Sequence, residues 1–329
     1  MIASVAIVAL NEELYINRIL NDILEQQYPK KQIEVLLIDS GSDDKTLEFM
    51  ESFKTKYVND FYGIQILKNV DRIQAAGWNV AIKNFKGDVL FRIDAHAHIP
   101  NNFVLENMKL QDSGEVVTGG PRYTLSDSKT LFSDFLLQAE NSMFGSSIAS
   151  YRRSTANTYV KSLFHGAYRR SVLEKVGLFN TSLGRTEDNE FHYRIRQKGY
   201  KLCYSGDIFS YQYIRSTFIK MLKQKYGNGY WIGRTFWICH KCLEKYHFVP
   251  LFFVLGIIFT TVLGFMGYPI LSMVMWMSYF LLCLIMMILT FYQNVFNPYY
   301  FMLPIMFIGL HLSYGLGTLW GIMHYGDDC

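Results

Sequence analysis

The chain has 329 residues, a hydrophobic fraction of 50%, a formal net charge of +4 and a mean hydropathy of +0.08. That hydropathy argues against a purely soluble protein, and the length allows one large domain with an additional part. Every Lys and Arg lies before residue 248, and Asp327 and Asp328 are the only acidic residues after it. A basic part joined to an uncharged hydrophobic part fits an anionic membrane or a phosphate-bearing substrate better than nucleic acid.

Short apolar runs alternate with amphipathic segments along the first part of the chain. The predicted strands are 5–10, 33–38, 63–67 and 89–93, and the predicted helices between them are 14–27, 46–57 and 73–84. This alternation predicts an α/β domain with a mostly parallel sheet and helices on both faces. The polar segments that follow these strands should then gather at one edge of the sheet, where ligands bind in such folds.

The strand at 89–93 ends in Asp94-Ala95-His96. A carboxylate and an imidazole at the end of a strand can face one ion, and they suit Mn²⁺ or Mg²⁺ held against substrate phosphates. The alternative is an Asp that caps a turn beside surface histidines. No G-x-G-x-x-G follows the first strand and no G-x-x-x-x-G-K-S/T is present, which argues against dinucleotide and P-loop sites.

The rest of the first domain has weaker patterns. The sequence predicts a strand and turn at 116–120, a helical or irregular cover at 132–150, helices at 171–176 and 191–198, and a strand at 201–204. Residues 1–10 lack the basic start of a signal peptide and are interpreted as a buried strand, so we expect this domain to stay in the cytosol.

The C-terminal part has the composition of a membrane protein. Segments 248–267, 270–291 and 300–322 are each long and apolar enough to span a bilayer. The preceding residues 215–247 mix aromatic and basic side chains, which favours helices in the membrane interface over an ordinary surface helix. We therefore expect a cytosolic domain at 1–214, interfacial helices at 215–247 and three spans within 248–329, with Asp327-Asp328-Cys329 outside.

Four motifs occur in an order that resembles a known family. They are Val5-Ala6-Ile7-Val8-Ala9-Leu10-Asn11-Glu12-Glu13, Asp39-Ser40-Gly41-Ser42-Asp43-Asp44-Lys45-Thr46, Asp94-Ala95-His96 and Glu187-Asp188-Asn189-Glu190. Together they resemble the family 2 glycosyltransferases of GT-A fold, and the Asp-Ala-His motif resembles the succinoglycan-type exopolysaccharide glucosyltransferases. The resemblance extends over nearly the whole chain.

The resemblance implies a donor site built from the first, second and third motifs. Ala9 and Glu12 would line the nucleotide pocket, and Asp39 would bond the uracil ring. Asp43 or Asp44 would hold the loop. Asp94 would contact the ribose and the metal. The metal would also be bound by His96, where the family more often has a second Asp, and an imidazole ligand favours Mn²⁺ over Mg²⁺. Arg72 and Arg92 are candidates for phosphate contacts.

The resemblance also implies that Asp188 is the catalytic base and Glu187 its neighbour. The alternative is that acidic residues simply favour a helix N-terminus, with Thr186 as the cap. No second nucleophile is apparent, so a single displacement with inversion is expected. The Gln-x-x-Arg-Trp motif of processive synthases is absent and Gln224-Lys225-Tyr226-Gly227 stands in its region, which favours addition of one sugar.

The predicted function is therefore transfer of a sugar from a nucleotide sugar, such as a UDP-hexose, to a lipid-linked (polyprenyl pyrophosphate) saccharide in cell-surface polysaccharide biosynthesis. Arg215, Lys220, Lys223 and Arg234 could bind the acceptor phosphates beside membrane lipid. Two alternatives remain open: a polyprenyl-phosphate sugar synthase, and a non-catalytic scaffold subunit of an export complex. The spans could also pair with those of a second copy, and no nucleic-acid partner is expected.

Overall fold

A computed structural model describes residues 1–145 and 157–324 of the protein. The chain divides into two compact units. The first comprises Met1–Tyr123 and Tyr151–Gln212, and the second comprises Thr124–Ser150 and Tyr213–Cys329. The sequence assigned residues 124–150 to the first domain, whereas the structure groups Thr124–Ser150 with the C-terminal helices.

The described residues form eleven strands and eleven α-helices. The strands are β1 (Ala3–Ala9), β2 (Ile33–Asp39), β3 (Gly63–Lys68), β4 (Val89–Asp94), β5 (Ala97–His98), β6 (Val117–Gly119), β7 (Arg122–Leu125), β8 (Thr158–Val160), β9 (Ala167–Arg169), β10 (Leu202–Tyr204) and β11 (Ser210–Tyr213). The helices are α1 (Ile16–Leu24), α2 (Thr46–Tyr57), α3 (Gln74–Asn84), α4 (Phe103–Asp112), α5 (Leu131–Asn141), α6 (Arg170–Val176), α7 (Glu187–Gln197), α8 (Phe218–Cys239), α9 (Val249–Phe265), α10 (Ile270–Gln293) and α11 (Leu303–Met323).

The main sheet has the strand order β3-β2-β1-β4-β9-β6-β10-β8. Its first four strands are parallel, as the strand–helix alternation predicted. The strand β9 was not predicted, and it runs antiparallel to both β4 and β6. A smaller sheet has the order β5-β11-β7. The second half of the main sheet is therefore mixed.

Two apolar cores cover the two faces of the main sheet. One contains the alternate β1 residues Ala3, Val5 and Ile7, packed with side chains of α1, α2 and α4. The other contains Ala6 with side chains of α3, α6 and α7. Because successive strand residues point to opposite faces, one buried strand supplies both cores. The predicted α/β fold with helices on both faces is confirmed.

The register of the parallel strands aligns their polar ends. Ala9 pairs with Asp39 across β1 and β2, and Val8 pairs with Asp94 across β1 and β4. The motifs that follow these strands therefore start from the same edge of the sheet, at the ends where α/β folds bind ligands.

The second unit contains the apolar helices. Lys245–Phe265, Ile270–Gln293 and Pro298–Met323 are long and apolar enough to cross a membrane. This confirms the three predicted apolar segments, while Asp327-Asp328-Cys329 lie outside the described residues, as does the 146–150 end of the predicted segment 132–150. The region predicted to be interfacial contains α8 and two short 3₁₀ turns, His240–Cys242 and Lys245–Phe248.

Helix α8 packs against α11 through glycines. A methyl group at Gly233 would lie 2.3 Å from the Thr318 carbonyl oxygen, and one at Gly321 would lie 2.1 Å from the Tyr230 carbonyl oxygen. Small residues spaced as small-x-x-x-small allow two helix backbones to approach in this way. One face of α8 is therefore committed to a helix–helix contact.

Candidate active site

The loops after β1 and β2 are joined by hydrogen bonds. Asn11 has a φ of 56°, in the left-handed region that Asn tolerates better than most residues. Its N–H donates to Ser42 Oγ at 3.0 Å, and its Oδ1 accepts the Asp43 N–H at 3.0 Å. The Glu12 N–H donates to Thr46 Oγ1 at 2.8 Å. The first two motifs therefore form one connected rim.

Asp44 is the second of the two candidates for holding this loop, and its side chain joins the two loops by hydrogen bonds. It accepts the Thr46 N–H at 2.9 Å and the Glu13 N–H at 3.0 Å. Slight burial opposes ionisation, but these hydrogen bonds lower the pKa of Asp44 below its ordinary value. Asp43 is exposed and contributes its backbone N–H to the loop.

Asp39 lies buried at the end of β2. Its two carboxylate oxygens accept the N–H groups of Gly41 and Ser42, both at 3.1 Å. A carboxylate has about four acceptor positions, so it can accept further hydrogen bonds from a ligand. The exposed Arg72 donates to the Gly41 carbonyl at 2.9 Å, which fixes its guanidinium against the same loop. Ala9 is buried, and its carbonyl accepts the Ser40 N–H.

Asp94 is buried at the end of β4. Its Oδ1 accepts a hydrogen bond from Gln74 Nε2 at 3.1 Å, and its Oδ2 lies 3.7 Å from His165 Nε2, an electrostatic contact. Burial would raise the pKa of Asp94, but His165, Arg92 and His96 together hold it well below its ordinary range. Asp94 is therefore an ionised carboxylate at neutral pH, as a metal ligand must be.

His96 is oriented by the first motif. Its Nδ1 lies 3.0 Å from Glu12 Oε1. Histidine ligands of metals usually bond a carboxylate through one ring nitrogen and coordinate through the other, so this geometry suits Nε2 coordination. No group of three or more His, Cys, Asp or Glu that could hold a metal occurs in the described parts of the chain. Asp94 and His96 therefore fit an ion that completes its coordination with substrate phosphates and water.

The acidic pair of the fourth motif begins α7. Thr186 occupies the N-cap position, as the alternative interpretation expected, but it has a φ of 66° and its side chain makes no capping hydrogen bond. The helix starts at Glu187, earlier than the predicted 191. The Glu187 side chain is 6% exposed and that of Asp188 is 21% exposed. Asp188 is thus the more accessible of the two acids.

Arg92 faces this acidic pair from β4. Its Nη1 lies 3.8 Å from Glu187 Oε1, and its Nη2 lies 3.9 Å from Asp188 Oδ2. Burial and Asp188 raise the pKa of Glu187 and Arg92 lowers it, with burial dominant, so the net pKa is raised. The structure does not support the sequence interpretation of Arg92 as a phosphate ligand, because its guanidinium is buried against these carboxylates.

The four basic residues predicted to bind acceptor phosphates differ in exposure. Arg215, Lys220 and Lys223 are exposed, the last two on α8. Arg234 is buried on the same helix, and its Nη1 donates to Tyr230 Oη and to the His324 carbonyl, both at 3.2 Å. Arg234 therefore has hydrogen-bond partners inside the protein, which suits a role in helix packing.

Sequence reasoning missed Gln74 and His165, which contact Asp94. Gln74 begins α3 and could have been suspected from its place after a loop that follows a strand. His165 lies far along the chain, and its Nδ1 is 2.8 Å from Ser210 Oγ. Burial dominates in lowering the pKa of His165, so the ring is neutral at pH 7. No local pattern marks it, because only the folded sheet brings it beside β4.

The fold and this edge of acidic side chains define a GT-A type glycosyltransferase. Residues 4–177, more than half of the chain, match the family described as Glycosyl transferase family 2. The chain belongs to that family. The matched region contains the first three motifs and ends before the acidic pair of α7.

Two relatives with established names extend the comparison. The chain is 29% identical over 273 residues to the dolichyl N-acetyl-alpha-D-glucosaminyl phosphate 3-beta-D-2,3-diacetamido-2,3-dideoxy-beta-D-glucuronosyltransferase of Methanococcus voltae, covering 80% of this chain and 83% of that protein. It is 25% identical over 230 residues to the succinoglycan biosynthesis protein ExoA of Rhizobium meliloti, covering 68% and 67%.

A solved structure has the same fold over almost the whole chain. It is the mannosyltransferase PcManGT from Pyrobaculum calidifontis in complex with GDP-Man and Mn²⁺, with a TM-score of 0.65, 16% identity, and coverage of 97% of this chain and 87% of that one. At this identity the likeness concerns the fold alone. The predicted family, the GT-A fold with C-terminal apolar helices and the glycosyltransferase class are thereby confirmed.

Proposed function

We propose that this glycosyltransferase moves a hexose from a nucleotide sugar to a lipid-linked saccharide, with inversion at the anomeric carbon. The observation that carries the proposal is that two carboxylate sites, one at Asp94 and one at Asp188, both lie near Arg92. Asp94, oriented with His96 at the strand ends, suits the donor, and Asp188, at the start of α7, suits the acceptor hydroxyl. Neither site alone would distinguish a transferase from a simple nucleotide-binding protein.

The donor site would use Asp39 for the base, Arg72 and the loop of Asp43 for positioning, and Asp94 with His96 for a divalent ion, Mn²⁺ or Mg²⁺. Support comes from the buried ionised state of Asp94 and the Glu12 contact that orients His96. A bound divalent ion would neutralise the charge that develops on the diphosphate leaving group.

The acceptor hydroxyl would lose its proton to Asp188. The side chain is partly exposed, and its Oδ1 accepts the Asn189 N–H at 2.8 Å, which fixes its direction. A base that accepts the proton during one displacement leads to inversion, so an α-linked nucleotide sugar would give a β-linked product.

The acceptor would be a lipid pyrophosphate-linked saccharide at the cytoplasmic membrane. Support comes from the apolar helices, from the exposed Arg215, Lys220 and Lys223, and from the relative whose name includes a dolichyl phosphate-linked N-acetylglucosamine. Basic side chains beside a membrane attract anionic phosphates. The basic flank of the first span also supports a cytosolic catalytic unit.

The test uses the full chain purified in detergent with UDP- and GDP-sugars, Mn²⁺ and polyprenyl pyrophosphate-linked saccharides. We expect one donor to release nucleotide in an acceptor-dependent way and to form a β-linked sugar–sugar bond, read from the anomeric coupling constant. The Asp188→Asn variant is the control for contaminating activity. A sugar phosphate product would show a polyprenyl-phosphate sugar synthase, and nucleotide release no greater than that of the control would contradict catalysis.

A further inference from the structure

Arg92 is a cation in the interior of the first unit. It lies on the central strand β4, is 4% exposed, and its guanidinium carbon is 5.4 Å from the centre of the Trp78 ring and 5.9 Å from that of Phe179. A buried charge is costly unless it is paired, so an arginine persists in such a place only with compensating anions. The groups that pair with Arg92 therefore identify the anions that compensate its charge in the interior of this unit.

The anions nearest to the guanidinium are the two acids of α7. Glu187 lies near Nη1 and Asp188 near Nη2, at 3.8 and 3.9 Å. Both distances exceed a hydrogen bond, and among the described residues Nε and Nη1 have no hydrogen-bond partner. The other titratable groups that interact electrostatically with Arg92 are Asp94, His165, Tyr168 and His192.

Each of those other groups is hydrogen-bonded to a different partner. Asp94 is engaged by Gln74 and lies near His165. Leu163 N–H points at His192 Nδ1, so Nε2 carries the proton and donates to Tyr168 Oη at 2.8 Å. Tyr168 and His192 are therefore neutral partners of each other.

The two oxygens of Asp188 have different neighbours. Asn189 N–H bonds Oδ1, and the guanidinium faces Oδ2. The planar arginine fork presents donors to two carboxylates at once, which a lysine ammonium cannot do with the same geometry. Catalytic contacts in a ligand-free enzyme are often long and tighten when substrate binds.

We infer that Arg92 is a positioning residue for the transfer reaction: its guanidinium orients the Asp188 carboxylate towards the acceptor hydroxyl, while Glu187 shares its charge. The inference rests on the proposed role of Asp188 as base. It assigns to Arg92 a role in catalysis through Asp188, beyond charge compensation in the core.

The first test compares Arg92→Met and Arg92→Lys with the wild type, using the donor and acceptor found active. In the Met variant kcat should fall by about 10- to 100-fold because the base is misplaced. Affinity for UDP or GDP with Mn²⁺ should remain, so the loss should appear in kcat and not in donor binding. The Lys variant should retain the charge and recover only part of kcat.

The second test separates positioning from charge compensation. In the double variant Arg92→Met/Glu187→Gln both members of the buried pair are neutral. No unpaired Glu187 charge then destabilises the folded state, while Asp188 still lacks its guanidinium neighbour. We expect thermal stability to recover and kcat to stay low. Arg194→Met is the matched control, because Arg194 forms its ion pair with Glu190, further along α7 than Glu187 and Asp188, and its kcat should stay within about twofold of the wild type.

Recovery of kcat in the double variant would overturn the inference, as would a wild-type kcat in either Arg92→Met or Arg92→Lys. If Arg92→Met does not fold, the Lys and double variants decide the question, since both avoid an uncompensated Glu187. Absence of turnover in the wild type with every donor would instead contradict the proposed function, so the two failures are distinguishable.

Discussion

At the scale of single residues, Asp188 differs from its neighbour Glu187 in accessibility. Its side chain is 21% exposed against 6% for Glu187, although both face Arg92. Asp188→Asn keeps the size and removes the proton acceptor, so kcat should fall by about 10²- to 10⁴-fold, as loss of a general base typically produces. The measurement is steady-state nucleotide release with the active donor and acceptor.

Nucleotide affinity is the control for this variant. Asp39 and Asp94 are untouched, so UDP or GDP with Mn²⁺ should bind as tightly as to the wild type in calorimetry. A near-normal kcat in Asp188→Asn would refute Asp188 as the base, and Glu187→Gln would then be the next variant to measure.

His96 is predicted to determine which metal supports turnover. Since an imidazole ligand favours Mn²⁺ relative to Mg²⁺, His96→Asp should raise the Mg²⁺-supported rate relative to the Mn²⁺-supported rate. His98→Gln is the control, because the ring of His98 is held by Asp22 at 2.8 Å. An unchanged metal preference in His96→Asp, or full turnover of the wild type in excess chelator, would disprove the metal assignment.

Glu187 should make stability depend on pH. Burial raises its pKa in the folded protein, so the folded state holds its proton more tightly than the unfolded state does. Stability is then lost as pH rises from the unfolded-state pKa, ~4.3, to the raised folded-state value. Below this pH window the Glu187→Gln variant should have the Tm of the wild type. As pH rises through the window, the Tm of the variant should increase relative to that of the wild type.

Thermal unfolding in detergent at a series of pH values measures this difference. Subtracting the wild-type Tm from the variant Tm at each pH removes the contributions of other titrating groups. A difference that does not change with pH would mean that the Glu187 proton is bound equally in both states.

At the scale of elements, the contact of α8 with α11 depends on residues that have no side chain. A methyl group at Gly321 would lie 2.1 Å from the Tyr230 carbonyl oxygen, closer than a carbon can approach. Gly321→Ala should therefore separate the helices or strain them, with a loss of about 1–3 kcal/mol. The measurement is the Tm of the purified protein in detergent.

Gly264→Ala provides the matched control within α9. A methyl group at Gly264 would meet nothing within 4 Å, so this substitution should leave Tm unchanged or slightly raised. Equal effects of the two substitutions would contradict the close approach of α8 and α11.

At the scale of the whole molecule, three apolar helices lead to a topology prediction. The basic residues before the first span should keep the catalytic unit inside, so three crossings would place the end of the chain outside. Alkaline phosphatase fused after residue 329 should be active in a bacterial host. The same reporter inserted at 293–298, which would lie inside, should be inactive, and the reversed pattern would refute this orientation.

Much of the parallel half of the fold could be predicted from the sequence. The spacing of Ile16, Ile19, Leu20 and Ile23 on α1 gives one apolar face, and all four are buried. The antiparallel strand β9 has only three residues, Ala167–Arg169, which is too few to show an alternation. Its position between β4 and β6 arises from pairing across distant parts of the chain.

The candidate site, like the fold, could be predicted from the sequence only in part. Asp39 and Asp94 could be found because each follows an apolar strand, and strand ends meet at one edge. The contacts of Arg92 and His165 could not be found, because their partners lie on other elements. From the sequence Arg92 was only one candidate for a phosphate contact, since a local pattern carries no information about which side chain an interior residue will face.

The sequence by itself determined what depends on neighbours along the chain: the strand–helix alternation, the polar strand ends, the uncharged C-terminal spans and the motifs that resemble the family. Only the tertiary structure decided the pairing of Arg92 with Glu187 and Asp188, the contact of Asp94 with His165, and the grouping of Thr124–Ser150 with the C-terminal helices. The physical reason is that charges and backbones interact through space, so their energies are set by distances that only folding establishes.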